Sequence, residues 1–260
     1  PRWAPLPSSL AGAVGAALAG LYALSPIELP PGTTPLLLGC AGLFILLSVV
    51  LGDRQQQNAL GTLRKLAAQS APATKENLAL AVRELARLPD ICFWLSVGHW
   101  FAVPLCIALG YGQLYQAGWP IIGKLIFVGF ALGPLVATLA YLLVVTRART
   151  AIGTVAAAGL TAAQVIAAIP PARLQLQRRL MIYAGVAVGT PLLLVVDLVV
   201  LRTEHAFARV LAQAGPVAQT QTLLLELGSG LASLAAVVGA VLVVVIGCGY
   251  LSGSALTAPI

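Results

Sequence analysis

Charge is scarce in this sequence: Asp, Glu, Lys and Arg together make up 9% of its 260 residues, against about 25% in soluble domains. A chain so poor in charge cannot clothe a soluble surface. Histidine is scarcer still, with two residues, too few for a haem or iron site. The four cysteines, Cys40, Cys92, Cys106 and Cys248, all fall inside apolar runs without CxxC spacing. Buried cysteine behaves as a small hydrophobe, so we assign neither disulfide nor metal. The eight acids are scattered, with no close pair for acid–base work. GxxxxGK[ST], GxSxG, HExxH and EF-hand patterns are all missing. We find no enzyme active site in the sequence.

What is abundant is apolar length. Hydrophobic residues make up 59% of the chain and mean hydropathy is +0.95, which identifies an integral membrane protein. Its length suits about five to seven spans of about 20 residues each. We expect an all-α protein with six transmembrane helices arranged as three hairpins, with helical cytoplasmic extensions. The expected spans are roughly Ser9–Pro26, Pro35–Leu51, Ile91–Tyr111, Ile121–Thr146, Leu180–Leu201 and Leu223–Tyr250. The chain begins with Pro rather than Met, as a fragment or processed chain would. Its first apolar run is soon followed by a second and reads as a retained span, not a signal peptide.

Orientation follows from the basic residues. With the N-terminus inside, the cytoplasmic side holds Arg2, Arg54, Arg64, Lys65, Lys75, Arg83, Arg87, Arg147, Arg149, Arg173, Arg178 and Arg179. The other side holds Lys124, Arg202 and Arg209. Such asymmetry places both termini in the cytoplasm. The net charge of +7 therefore reads as topology and attraction to membrane lipids, with no nucleic acid implied. Tyr111, Tyr115 and Trp119 stand where interfacial aromatics belong.

Two cytoplasmic connectors, about 53–90 and 147–179, read as helical. In the first, Thr74 is placed to cap a helix whose Leu78, Val82, Leu85 and Leu88 recur at helical spacing. In the second, Thr161 with Gln164 forms a capping-box pattern, ended by Pro170-Pro171. A shift of 87 residues superposes Thr74 on Thr161, Leu78 on Val165, Ala81 on Ala168, Gly98 on Gly185 and Pro104 on Pro191. The repeat unit is a capped helix feeding a span with a proline kink, at Pro104 or Pro191, about 20 or 17 Å deep.

Ionisable groups in a bilayer are costly, which makes them functional candidates. Glu28, Lys124, Asp197, Arg202 and Glu226 lie near the outer ends of their spans. They serve either as mutually paired interfacial charges or as an outward-facing pocket for a lipid or small ligand. A proton relay would need acids deeper in the membrane. His99 lies about 12 Å into the third span and is a packing residue or a sensing group. Gly12, Ala16 and Gly20 recur every four residues in the first span, as do Gly228, Ala232, Ala236 and Ala240 in the last. Such faces let helices approach closely, within one chain or across a dimer.

The chain closes with YLSGSALTAPI, a polar exit with Pro259 soon after the last span. This resembles the entry to a HAMP signalling linker. With AVRELARLPDICFWLSVGHW entering the third span and RRLMIYAGVAVGTPLLLVVDL in the fifth, the chain resembles the six-span membrane anchor of bacterial class III adenylate cyclases. Residues 1–250 are then the six-span domain and 251–260 the start of a truncated HAMP-like linker. The resemblance implies a homodimer in the bacterial inner membrane. It receives a signal and passes it through the last helix to a C-terminal cyclase domain that is missing here. ATP and its Mg or Mn would belong to that domain, so no cofactor is expected in this chain and no catalytic residue carries over. The competing expectations are an accessory subunit of a membrane complex and a small transporter.

Overall fold

The computed structural model describes residues 6–24, 33–115, 119–169, 172–212 and 216–257. Over its described residues each expected span falls on one long helix, the form in which a backbone satisfies its own polar groups without water; Ser25 and Pro26 of the first lie outside the described residues. The elements in order are α1 (Leu6–Leu24), α2 (Thr33–Ala59), α3 (Gly61–Ala67), α4 (Lys75–Tyr115), α5 (Trp119–Ala157), α6 (Ala162–Ala168), α7 (Ala172–Leu211) and α8 (Pro216–Thr257). Every described element is a helix. Three stretches are long and apolar enough to cross a membrane: Lys75–Leu114, Ile122–Ala157 and Gln219–Tyr250. Shorter apolar stretches run Leu10–Gly20 in α1 and Val188–Asp197 in α7.

Helix α5 is the centre. Of its apolar stretch 78% is buried, against 11% for α4 and 18% for α8. It packs against α1, α4, α7 and α8, while α2 lies outside, against α4. The main core joins Leu18 of α1, Val128, Leu132 and Leu135 of α5, Leu194 of α7, and Val237 and Val241 of α8. A smaller cluster joins Tyr141, Leu142 and Val145 of α5 to Cys248 of α8. Phe93 of α4 sets its ring edge-on to Tyr141, with centroids 6.4 Å apart.

At one end of the bundle the connectors form a helical cap with its own core. Leu60 just before α3, Leu63 within it, Ala81, Val82, Leu85, Leu88 and Cys92 of α4, Val144 and Ile152 of α5, and Val165 of α6 are buried together. The stripe expected on α4 is the buried one: Leu78 is 4% exposed, Val82 0%, Leu85 0% and Leu88 3%. The apolar faces of these connectors thus cover one another. Both caps form as well. Thr74 Oγ1 accepts the Asn77 N–H at 3.3 Å, and Thr161 with Gln164 completes a capping box. Between them α5 ends at Ala157, and Gly159 in the turn that follows has a φ of +140°, which suits a residue without a side chain.

One boundary differs from the sequence reading. The connector drawn to residue 90 and the span drawn from Ile91 are a single helix, α4, which passes through Pro89 and Pro104. Pro89 deprives only the Leu85 carbonyl of its helix partner. Leu85, Leu88 and Cys92 all enter the cap core on either side of it, and that packing holds the helix together. The second repeat unit is divided instead: α6 ends at Ala168 and α7 begins at Ala172. Pro170 and Pro171 lie outside the described residues.

The cap is tied by a carboxylate that the sequence does not advertise. α3 has no side-chain cap of its own at Leu60. Glu84 of α4 supplies one: the Thr62 N–H donates to both of its oxygens, at 3.1 and 3.0 Å, and the Leu63 N–H donates to Oε2 at 3.2 Å. An anionic acceptor also suits the positive end of the α3 dipole. Glu84→Ala should cost about 1–2 kcal/mol and speed hydrogen exchange at the Thr62 and Leu63 amides. Leu85→Ala, which opens a cavity, should cost about 2–5 kcal/mol in thermal unfolding.

Candidate functional site

The most extensive packing among the described helices is between α4 and α5. Pro104 has no N–H, so the Trp100 carbonyl, four residues back, has no partner within its own helix. Gly129 of α5 lies directly on that oxygen. A side chain there would overlap Trp100 O and stand 2.7 Å from Pro104 Cγ. The Gly129 Cα hydrogen therefore points at the freed carbonyl, a weak Cα–H···O contact of the kind that recurs between close helices. One turn on, a Cβ at Gly133 would stand 3.0 Å from Trp100 Cβ. The indole then reaches across α5 to α1, where a Cβ at Gly15 would overlap the Trp100 ring and a Val136 methyl. Gly129, Gly133 and Gly15 together make the groove in which Trp100 sits.

A second polar contact ties α7 to the same helix. The buried Thr190 hydroxyl donates to the Ala131 carbonyl at 3.2 Å. Pro134, also inside α5, leaves the adjoining Phe130 carbonyl without a helix partner. Thr138, 2% exposed, donates back to the Pro134 carbonyl at 2.8 Å, a bond that favours bending. The two hydroxyls thus bond the carbonyls of Ala131 and of Pro134 itself, beside the one that the proline frees.

From that contact the far-end charges can be placed. α7 runs away from the cap, so it is antiparallel to α5. Seven residues beyond Ala131 and Thr190, away from the cap, stand Lys124 and Asp197, about 10 Å along each helix. Seven residues is nearly two turns, so both keep the sides on which α5 and α7 meet. Lys124 and Asp197 thus occupy one level of one interface. Asp197 Oδ2 is buried and has no hydrogen-bond partner among the described residues. The side chains of Arg202, Glu226 and Pro191 lie outside those described, as does all of Glu28. His99 is not part of this group. It lies toward the cap, with its Cε1 3.6 Å from where a Gly52 side chain would begin on α2.

The small-residue faces separate into two kinds. Gly12 and Gly20 meet nothing within 4 Å, and the α1 face that packs is one step round, at Ala11, Gly15 and Leu18; Ala16 is half-buried. Gly228 meets nothing, Ala232 and Ala236 are exposed, and only Ala240 joins the main core. Gly129 and Gly133 escaped the sequence reading although GFALG is a GxxxG motif. So did Trp100, visible only as a neighbour of His99. Pro104, expected as a kink, is the residue that frees the carbonyl Gly129 covers.

No protein-family model, curated protein or solved structure matches this chain. Chemically, the described side chains offer no group of three metal-ligating residues. What the arrangement does offer is mechanical: helices locked by glycine on one side of α5 and by a single hydroxyl on another. Gly129→Val should therefore lower stability by about 1–3 kcal/mol or more, while Gly12→Val should change it by less than about 0.5 kcal/mol. Thr190→Val should cost about 0.6–1.7 kcal/mol. Thermal unfolding of the purified chain in detergent checks all three.

Proposed function

We propose that this chain is a six-span anchor of the bacterial inner membrane and that α8 is its output helix. In this reading α8 hands a signal to a cytoplasmic adenylate cyclase domain of a longer protein, and two copies of the anchor hold two catalytic halves together. The carrying observation is the uneven burial of α8. Among its described side chains none from 219 to 236 is buried, whereas Val237, Val241 and Cys248 are. A helix gripped over one half can shift its other half against the bundle, which is what an output element with two arrangements requires.

Three further features support the reading. α8 continues as helix past the apolar stretch to Thr257, as a helix feeding a signalling linker would. Gly228, Ala232 and Ala236 lie on its exposed part, where a second copy can pack closely. The cap gathers Arg64, Lys65, Arg83 and Arg87 on exposed positions, the charge expected of a cytoplasmic end. α1, α2 and α7 complete the six spans, consecutive in pairs along the chain, although α1 packs against α5 and α2 against α4. The signal enters from the membrane or beyond it, with Lys124 and Asp197 as a polar group toward the far side.

Fusing the chain at Ile260, through a HAMP linker, to a class III cyclase half that is inactive alone should restore cyclic AMP production in bacterial membranes. Gly228→Leu with Ala232→Leu should cut both that output and disulfide cross-linking of Ala236→Cys copies severalfold. Full output and cross-linking with both leucines in place would sink the reading of α8.

A further inference from the structure

The face of α5 that carries Tyr141, Leu142 and Val145 packs on Cys248 and Val244 of α8 and on Phe93 of α4. Arg149 is one turn past Val145 on this face, at the cap end, where beyond Cys248 only the last turns of α8 follow. It is half-buried, and its Nη1 is fully buried with no hydrogen-bond partner among the described residues. No described carboxylate pairs with it. Of the acids at this end, Glu84 is committed to the α3 amides and Asp53 to Gln57, 2.6 Å away, while Glu76 and Asp90 are exposed on α4. One nitrogen of the fork is thus out of water without an acceptor while the others are not buried with it, and a partly desolvated cation of this kind favours an anion beside it.

The level of Arg149 indicates where that anion comes from. α5 is charge-free from Leu125 to Thr146, 22 residues, or about 33 Å of helix. That matches a hydrocarbon core of about 30 Å. Arg149 stands three residues beyond, about 4–5 Å further along, within a headgroup layer about 5–7 Å deep. The anions of that layer are phosphates, whose paired oxygens match the fork of a guanidinium.

We propose that Arg149 binds the phosphate of a phospholipid headgroup at the junction of α4, α5 and the last turns of α8. The inference rests on the membrane-spanning part of the function proposed above and is independent of any cyclase. Its consequence is that one bound lipid touches both the central helix and the helix that leaves the bundle.

The test uses the whole 260-residue chain in detergent, with bound lipid counted by native mass spectrometry during titration. The probes are dioleoyl phosphatidylglycerol, the phosphate-free dioleoylglycerol and inorganic phosphate. The tightest phosphatidylglycerol should be held well above dioleoylglycerol and bind about tenfold more weakly in Arg149→Gln. Arg147→Gln, on the exposed side of the same helix, should leave it unchanged. Arg149→Lys, which keeps the charge but loses the fork, should bind more weakly than wild type at an unchanged melting temperature. This keeps the test alive if the glutamine variant fails to fold. Displacement of the lipid by millimolar inorganic phosphate would support the phosphate site and assign its source as free phosphate. Equal binding of phosphatidylglycerol by Arg149→Gln and wild type, or of the two lipids by wild type, overturns the proposal. A wild-type chain that fails to insert into liposomes overturns the membrane reading itself, which separates the two failures.

Discussion

The molecule depends on one backbone carbonyl. Pro104 strips the Trp100 oxygen of its helix bond, and the bundle answers by bringing α5 so close that no side chain fits at Gly129. With the two backbones that near, Trp100 has nowhere to go but across α5, into the space that Gly133 and Gly15 leave open. α1 is thereby located on the far side of the indole, and α4 is held flush against α5 from Trp100 down to the cap. In surroundings where apolar association supplies no drive between helices, such steric closeness and the dispersion it brings are what remains to hold them.

Some of this could be read in the sequence, because it follows from local rules. The spacing of Leu78, Val82, Leu85 and Leu88 marks a buried stripe whatever covers it, and Thr161 with Gln164 builds a capping box from its own backbone. The apolar runs mark helices because their polar backbones must be satisfied internally. What stayed hidden are pairings between distant residues. Glu84 looks like one more surface acid in a helix, yet it caps α3, 22 residues back. Gly129 and Gly133 carry no mark beyond their spacing that separates them from Gly12 and Gly20, since only the neighbour's shape decides which pair is used. The match of Lys124 with Asp197 required knowing that Thr190 meets Ala131. Six spans, consecutive in pairs, remain part of the proposed function, because three stretches meet the length and apolarity that crossing requires.

The two halves of the bundle are held in different ways. α4 and α5 share glycine-tight packing along the apolar part and a joint core in the cap. α8 is fully buried only at Val237, Val241 and Cys248 among its described side chains, with Leu234, Ala240, Val244 and Val245 partly buried beside them. Its packing on α5 is thus the lighter, as the proposed output role would require. A rigid pair flanked by a looser helix is the division of labour that signal passage needs.

The cap also bears on how the chain is made. Its core draws on Leu60 through Val165, with Ile169 at its margin. Every one of those residues leaves the ribosome before α7 begins. The cap can therefore close around α4 and α5 while the last hairpin is still being synthesised, since segments of a chain fold in the order they appear. α7 and α8 then dock onto a template already set, α7 by the Thr190 hydroxyl and α8 by a few side chains near its end. The order of synthesis and the gradient of packing run the same way, so the pair made after the cap is also the more lightly held.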